Sequence, residues 1–482
     1  MNLQVKVRAE REEEKEKEKR EAEENDQPVS PTGQYFNSSA LSVSIMVVFE
    51  SEIPIDDSPT TSTLENLLLP INPRFSSIMV KDEKGVQHWR KVKVNLEDHV
   101  NIPVFPSGLT AYDEHVEDYL SKIAAEPLPL SRPLWEIHII KYATRHGEGS
   151  LVFKLHHALG DGFSLMGALF SCLQRADDPS LPLTFPTRKV VPKKSTNRWQ
   201  GAVRVLSACV DTVRDFGWSM WKSRWGEDDV SAVRSEGIGH EFRPISISTV
   251  EFELEQIRRI KAEIGGTIND IISGIVFYGI QLYIQAMNQN NIATATNKVT
   301  ALVLLNTRNI SSYQSVDEMT KPNARSPWGN QFGFMHVSLP TCVNAESADP
   351  LYFVLQAKKI IKAKRNSLVV YLTGRLLETL RRIKGPEATA RYIHGTLRNT
   401  SMTVSNLTGP IEQMIIAGHP VKSFHFMVVR VPQSLTITVV SYMGKLKVAL
   451  GVEKGFINSQ LLNSYMKESF ERILEAAKGK RN

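Results

Sequence analysis

Two patterns of apolar residues interleave along the chain and predict a mixed α/β protein. The stretch ALSVSIMVVFE, residues 40–50, is rich in β-branched residues, and LVFKLHH, residues 151–157, alternates as a half-buried strand does. The stretches LEQIRRIKAEIG and TINDIISGIVFYGIQLYIQAM instead carry the pattern of helices, the second of them buried. Strands and helices recur on both sides of a long polar interruption, so we expect a mixed α/β fold in two halves.

Changes in this pattern mark the expected domain boundaries. Residues 1–27 form a charged tail, which we expect to be disordered, and apolar strand-like runs begin near Pro28. We therefore place a first domain at residues 28–180 and a second at residues 246–482. Between them, residues 181–245 form a basic crossover linker.

The crossover contains one amphipathic helix that permits two interpretations. Apolar residues recur at spacings near three and four and share one helical face: Val203, Leu206, Val210, Val213 and Trp221. The helix also carries tryptophans at 199, 218, 221 and 225, and it follows the basic residues Arg188, Lys189, Lys193, Lys194 and Arg198. Such a helix either lies in a membrane interface or packs on the protein's own surface. Charged residues within it exclude a simple membrane-spanning segment.

Composition and charge narrow the classes of partner. The 482 residues include only three cysteines, so a disulfide framework or a cysteine zinc site is not indicated. The net charge of +6 suggests an anionic partner, such as lipid headgroups or a phosphorylated cofactor. No zinc-finger or RNA-binding signature points to nucleic acid. The charged N-terminus is not a secretory signal, and we find no charge-free apolar run of about 18 residues.

The segment VFKLHHALGDGFSLMGALF, residues 152–170, has the strongest chemical signal. Its first half predicts a strand, so His156 and His157 are expected to point to opposite faces where that strand ends. Gly160 and Gly162 are expected to let the chain turn sharply around Asp161 before a helix begins. A histidine held at such a turn suits a general base, because its ordinary pKa leaves it able to accept a proton near neutral pH.

Two simpler interpretations of this segment stay open from the residues alone. A metal site would need both imidazoles on one face, which adjacent strand positions oppose. The segment is also compatible with a structural turn that has no chemistry.

Further motifs add a resemblance to a known family. The string from His156 to Gly162 matches the HHxxxDG motif of the CoA-dependent acyltransferase superfamily. In chain order, the other matching residues are Pro133-Leu134-Trp135, Asn269-Asp270, Gly329-Asn330 with Phe332-Gly333, and Asn406 with Gly409. Together they make the chain, from about residue 28 to 478, resemble the plant form of the wax ester synthase/diacylglycerol acyltransferase family.

This resemblance implies a fold and a reaction. The implied fold is a two-domain CoA-dependent acyltransferase, each domain a mixed β-sheet flanked by helices, with a tunnel between them. The implied reaction transfers a fatty acyl group from acyl-CoA to a long-chain alcohol or to diacylglycerol. Acyl-CoA is a co-substrate, and neither a metal nor another cofactor is expected.

The resemblance also implies roles for individual residues. His157 is expected to be the general base, and the catalytic group further includes His156, Asp161 and Asn269. Asp161 is expected to hold the turn, and Asn269 to donate to the developing oxyanion unless it only caps a helix. Gly160, Gly162 and Asp270 are expected to contribute to the substrate site.

Three hypotheses for the function of the protein therefore follow from its sequence. The leading one is an O-acyltransferase at the cytosolic face of the endoplasmic reticulum membrane, or at the plasma membrane, with wax ester synthesis favoured. The second is a condensation-type acyltransferase that uses another nucleophile. The third is a catalytically silent lipid-binding protein on the same scaffold, which an intact HHxxxDG motif disfavours.

Overall fold

The computed structural model describes residues 26–82, 86–186, 198–237, 239–288, 298–308, 314–321, 324 and 326–479, with residues 198–208 and 365–366 described by their backbone alone. The charged tail up to residue 25 and the basic run from Arg188 to Lys194 lie outside the described residues.

The strands are β1 Gln27–Pro28, β2 Ser44–Ser51, β3 Ser77–Lys81, β4 Gln87–Lys91, β5 Val100–Asn101, β6 Trp135–Ile140, β7 Gly149–His156, β8 Gln174–Arg175, β9 Ile245–Glu253, β10 Thr300–Asn306, β11 Phe332–Ser338, β12 Met402–Thr408, β13 Met414–Ile416, β14 His419–Val429, β15 Leu435–Tyr442 and β16 Lys445–Glu453.

Helices flank these strands on both sides of the crossover. They are α1 Pro31–Phe36, α2 Thr60–Thr63, α3 Leu69–Ile71, α4 Asp113–Ala125, α5 Gly162–Ser171, α6 Arg198–Arg224, α7 Leu254–Ile264, α8 Ile268–Met287, α9 Val316–Thr320, α10 Pro350–Asn366, α11 Val369–Arg398 and α12 Ser459–Gly479. A π-helical turn, Leu64–Leu68, joins α2 to α3, and short 3₁₀ turns cover Pro73–Ser76, Leu96–Asp98 and His240–Phe242. The mixed α/β class predicted from the sequence is confirmed.

The first large sheet contains the strand that leads into the histidine motif. Its order is β5-β6-β7-β2-β14-β13-β8. The central strands β2 and β7 are buried at every position and pair antiparallel, with Ser44 opposite His156. Burial on both faces explains why their sequences are so rich in apolar and β-branched residues.

The second large sheet has the order β11-β10-β12-β15-β16-β9 and mixes parallel with antiparallel pairs. Strands β10, β12 and β15 run parallel, and β11, β16 and β9 add antiparallel partners. A small third sheet, with the order β1-β4-β3, is formed by strands from the N-terminal part of the chain. The architecture therefore has two mixed sheets flanked by helices, as the resemblance implies.

Two findings amend the predicted domain ranges. Strands β13 and β14 come from beyond residue 246, yet they complete the first sheet, and β14 pairs with β2 along most of its length. The chain crosses back to the second sheet just after Val429, which lies opposite Ser44 and so at the histidine end of β2. At the N-terminus, Gln27 pairs with Trp89 and Asp26 forms an ion pair of 3.0 Å with Arg90, so the predicted disordered tail ends before these two residues.

The most apolar helix, α8, lies in the core of the second half. By length and composition it passes the test for a membrane-spanning helix, but 78% of its apolar window is buried inside the protein. It packs between α10 and α12. Burial on all sides explains its apolar composition, as is common for core helices.

One close contact of α8 gives a stability prediction. A Cβ at Gly274 would lie 2.7 Å from the Cα of Val354 and 3.0 Å from its backbone nitrogen. Because backbone atoms cannot rotate away, we expect Gly274→Ala to destabilise the fold by about 1–3 kcal/mol. Gly374→Ala is the matched control, since that helical glycine has no atom within 4 Å of its Cβ position. Thermal unfolding of both variants checks this, and equal melting temperatures would contradict it.

The crossover helix α6 buries its polar face. Thr212, Asp215, Ser219 and Lys222 are all buried, whereas Val210 and Val213 are 67% and 74% exposed. The buried side chains have partners in the second half: Asp215 binds Lys364 at 2.9 Å, and Ser219 lies 2.9 Å from Nδ1 of His336. The described part of this helix therefore packs on the protein's own surface, but it does so through its polar face.

Candidate active site

His157 follows directly after β7, where the chain turns toward α5. Its backbone N–H donates to the carbonyl of Val43 at 2.9 Å, which holds the residue beside the start of β2. Asp161 then caps α5, because its carboxylate accepts from the backbone N–H of Ser164 at 3.0 Å. The predicted order of strand, turn and helix is formed as expected.

The His157 ring lies in a buried aromatic environment. The residue is 6% exposed, and its ring centroid lies 4.4 Å from that of Phe36 and 5.3 Å from that of Phe332. Nδ1 is 2.8 Å from Oδ1 of Asn330, whose Nδ2 donates to the His157 carbonyl at 2.9 Å. Among the described residues no group is hydrogen-bonded to Nε2. The ring therefore presents Nε2 as the nitrogen that is able to exchange a proton with a substrate.

His156 has partners on both ring nitrogens. Nδ1 accepts from the backbone N–H of Ala158 at 3.1 Å, and Nε2 lies 3.2 Å from the Ser42 hydroxyl. Burial, followed by nearby positive charge, lowers the pKa of His156 to about 3. The structure thus places His156 as a packed residue that holds the turn, in contrast to the expectation that it belongs to the catalytic group.

Asp161 forms a buried ion pair with Arg308. Its Oδ2 accepts from Nη1 of Arg308 at 2.5 Å and from the backbone N–H of Gln331 at 2.7 Å. The side chains of Arg308 and Asp161 are 0% and 5% exposed. Asp161 therefore fixes the turn to the second half of the protein and does not face a substrate.

Arg308 also holds the segment that carries Asn330. Its Nη2 donates to the Gly329 carbonyl at 2.7 Å and to the Ser164 hydroxyl at 3.0 Å. Trp328 donates its Nε1–H to the Leu159 carbonyl at 2.8 Å, and Arg74 donates to the same carbonyl at 3.0 Å. Residues 328–331 and the motif turn thus form one hydrogen-bonded unit across the two halves.

Burial determines the protonation state expected for His157. It lowers the pKa of the imidazole, while the Asp161 charge, a hydrogen bond to the backbone of His157 itself and the Asn330 hydrogen bond oppose that shift. A lowered pKa keeps Nε2 unprotonated, and so able to accept a proton, below the ordinary value of 6.5. We expect kcat/KM to stay constant as the pH falls from 7.5 through 6.5 and to decline only at lower pH. An acidic limb centred above 6.5 in the wild-type pH profile would contradict this.

Asn269 and Asp270 lie at the start of α8 and differ in environment. Thr267 is the N-cap, and Asp270 completes its capping box by accepting from the Thr267 N–H at 2.8 Å. Asp270 is buried and occupied by this role, so the structure does not place it at a substrate, contrary to expectation.

Asn269 is exposed and is not the cap. Its Oδ1 accepts from Nδ2 of Asn406 at 2.9 Å, which leaves its own amide N–H groups without a partner among the described residues. Asn406 precedes Leu407, whose side chain lies 3.7 Å from the Cβ position of Gly162. Because Asn406 and Leu407 are neighbours on β12, their side chains point to opposite faces of the sheet, so this contact does not place the Asn269–Asn406 pair beside the motif turn.

Of the two motif glycines, only Gly160 is closely packed. Neither Gly160 nor Gly162 has a positive φ. A Cβ at Gly160 would lie 3.1 Å from Cβ of Ser164, whereas at Gly162 the nearest atoms belong to the flexible Leu407 side chain at 3.7 Å. The expectation of a sharp turn that needs glycine conformations is therefore wrong, and close packing at Gly160 replaces it.

The Pro133-Leu134-Trp135 segment supports the motif strand. Trp135 is fully buried, donates Nε1–H to the Phe75 carbonyl at 2.8 Å and stacks on His99 at 4.1 Å between ring centroids. The Leu134 carbonyl accepts from the His156 N–H at 3.0 Å. The segment is structural and fixes the end of β7.

Two residues of the site had no role predicted from the sequence, Arg308 and Asn330. Asn330 lies in one of the motifs that carry the family resemblance, and Arg308 lies earlier in the chain, in the segment LNTR, but nothing in either segment says which side chain it meets. Their contacts with the motif span 147 and 173 residues of sequence. Within the described residues, no group of three or more His, Cys, Asp or Glu side chains is arranged to hold a metal ion.

Comparison with known structures defines the class of fold. The chain is similar to the wax ester synthase/diacylglycerol acyltransferase from Marinobacter aquaeolei VT8, with a TM-score of 0.59, 15% identity and coverage of 94% of this chain and 100% of that one. It is also similar to the starter condensation domain of rhizomide synthetase in complex with C8-CoA and Leu-SNAC, with a TM-score of 0.52, 11% identity and 94% of each chain covered. The two sheets and the histidine turn between them are thus the acyltransferase fold expected from the HHxxxDG motif.

Sequence comparison then gives the family. The wax ester synthase/diacylglycerol acyltransferase catalytic domain matches residues 60–272, and the WS/DGAT C-terminal domain matches residues 328–474. Wax ester synthase/diacylglycerol acyltransferase 2 of Arabidopsis thaliana is 28% identical over 89% of this chain and 91% of its own length, and number 9 of that plant is 27% identical over 94% and 96%. The chain belongs to the wax ester synthase/diacylglycerol acyltransferase family and is an acyltransferase.

Proposed function

We propose that this acyltransferase uses His157 to transfer a fatty acyl group from acyl-CoA to the hydroxyl of a long-chain alcohol, with diacylglycerol as a second acceptor. The observation that carries the proposal is the state of the His157 ring, which is buried, has Nδ1 bound by Asn330 and leaves Nε2 available. The names of the Arabidopsis relatives support both products. The aromatic rings of Phe36 and Phe332 beside His157 provide an apolar environment suited to lipid substrates.

The residues support a direct transfer. Nε2 of His157 takes the proton of the alcohol as its oxygen attacks the thioester carbonyl, and a tetrahedral intermediate forms. The C–S bond then breaks, and the CoA thiolate takes the proton from the imidazolium, so that the base is restored. No acyl-enzyme is required.

Asn269 is the proposed donor to the oxyanion of that intermediate. Its free amide N–H groups support this role, since Asn406 occupies only the carbonyl oxygen. In a site from which the bound substrates exclude water, a preorganised donor contributes about 3–4 kcal/mol to transition-state stabilisation.

A parallel acceptor assay tests the proposed substrates. Purified protein receives labelled palmitoyl-CoA with either hexadecanol or diacylglycerol, dispersed in the same detergent. Label in wax ester exceeding label in triacylglycerol supports the proposal. Label in neither product, from a protein that is folded and binds acyl-CoA, would refute these acceptors.

We also propose that the enzyme works on a membrane surface, at the cytosolic face of the endoplasmic reticulum or the plasma membrane. The support is the outward apolar face of α6, which we define by Val210, Val213 and Trp221; Trp221 is 50% exposed. Leu368 is also exposed. It lies beside α6, since its backbone N–H donates to the Thr212 hydroxyl at 3.0 Å. A helix that buries polar residues and exposes valines and tryptophan suits the boundary of a bilayer.

Vesicle flotation tests this attachment. Loss of two valine side chains from a lipid contact removes a few kcal/mol at most, so we expect the double variant Val210→Ser, Val213→Ser to partition about tenfold less onto vesicles with anionic headgroups. Val343→Ser is the matched control, because that valine is 85% exposed elsewhere on the protein. Equal flotation of both variants would contradict the proposed surface.

A further inference from the structure

The amide of Asn330 makes two hydrogen bonds to one residue. Its Nδ2 lies 2.9 Å from the backbone carbonyl oxygen of His157, and its Oδ1 lies 2.8 Å from Nδ1 of the same histidine. A carbonyl oxygen only accepts, so the group that faces it must be the amide NH₂. The orientation of the Asn330 amide is therefore determined, and Oδ1 is the atom that faces the imidazole.

This orientation decides which ring nitrogen carries the proton. Because Oδ1 is an acceptor, Nδ1 of a neutral His157 must be protonated in order to donate to it. The lone pair of the ring then lies on Nε2. We propose that Asn330 is a positioning residue that selects the Nδ1–H tautomer of His157 and so makes Nε2 the base, an inference that rests on the proposed function of His157.

The segment around Asn330 is itself held on both sides. The Gly329 carbonyl accepts from Arg308 and Ser164, at 2.7 and 3.0 Å, and the Gln331 N–H donates to Asp161 at 2.7 Å. Gly329 has a φ of +126°, a conformation that other residues rarely adopt. The amide is thus preorganised and does not depend on substrate to reach His157.

Asn330 and His157, the residue whose tautomer it selects, are attached to different sheets. Asn330 lies two residues before β11, a strand of the second sheet, whereas His157 directly follows β7, a strand of the first sheet. The tautomer of the base is therefore set across the boundary between the two halves. If the two halves separated, Asn330 would no longer contact His157, and the imidazole proton could occupy either ring nitrogen.

Nitrogen NMR of the full-length protein tests this inference without any substrate. Protein labelled with ¹⁵N-histidine is compared with His157→Gln, which identifies the His157 signals. We expect Nδ1 with a protonated-type shift and Nε2 with an unprotonated-type shift in the wild type, and averaged shifts in Asn330→Ala. Asn344→Ala is the matched control, since that exposed asparagine only accepts from backbone N–H groups at 3.0 and 3.2 Å.

Kinetics of the same variants supply a second readout. We expect kcat of Asn330→Ala to fall by about 10²-fold, because the wrong tautomer of a catalytic histidine costs up to about 10⁴-fold. Asn330→Asp keeps an acceptor at Nδ1 but adds negative charge, so it should retain the tautomer and move the acidic limb of the pH profile upward. A wild-type tautomer in Asn330→Ala would overturn the inference. An inactive wild type with the expected tautomer would instead refute the proposed function alone.

Discussion

Replacing His157 by alanine is expected to lower kcat for acyl transfer by about 10³-fold while the protein stays folded. A positioned general base contributes about 10²- to 10⁴-fold, and Nε2 of His157 is the ring nitrogen of the motif that has no protein partner among the described residues. The ring is small and lies beside Phe36 and Phe332, so the cavity left by alanine should cost little compared with the loss of chemistry. Initial rates with palmitoyl-CoA and hexadecanol measure the effect.

Two controls distinguish loss of the base from loss of the fold. His157→Gln fills most of the volume of the ring but does not act as a base, so it should be as inactive as the alanine variant. Thermal unfolding should show both variants to be folded. Activity of either variant within tenfold of wild type would remove His157 from the role of base.

Replacing Asp161 by asparagine is expected to lower the free energy of unfolding by about 3–5 kcal/mol, because it leaves a buried charge on Arg308 without its counter-ion. Activity should fall with stability, since Asp161 also caps α5 and binds the Gln331 N–H beside Asn330. Denaturant unfolding at fixed pH measures the loss. Asp118→Asn is the control, because Asp118 is 70% exposed and pairs with Lys454 at the surface.

A second substitution separates charge from packing. Adding Arg308→Met to Asp161→Asn removes the unpaired guanidinium and should restore part of the lost stability. It should not restore activity, because a thioether side chain has no N–H to donate to the Gly329 carbonyl. If the double variant is no more stable than Asp161→Asn alone, the buried charge is not the cause of the loss.

Local features of this protein were predictable from its sequence. The motif segment alone indicated a strand, a turn and a helix, and the structure has β7, the turn and α5 in that order. Adjacent strand positions also predicted different surroundings for the two histidines. Such features depend on residues that are neighbours in the chain, where the alternation of side chains is a reliable guide.

Long-range features were not predictable in the same way. Nothing in the residues near Asp161 indicates that its partner is Arg308, and nothing near β2 indicates that β14 joins its sheet. The periodicity of α6 correctly marked one apolar face, but the pattern does not say whether a face is turned inward or outward. In the structure the valines are exposed and Asp215 is buried, so the apolar face is turned outward.

The most direct test of acyl transfer by His157 is the stoichiometry of one reaction. Wild-type protein is incubated with labelled palmitoyl-CoA and hexadecanol, and ester, free CoA thiol and label bound to protein are measured together. Direct transfer gives one thiol released for each ester formed and no label on the protein. Thiol release without ester, or label retained on the protein through a covalent bond, would contradict direct transfer by His157.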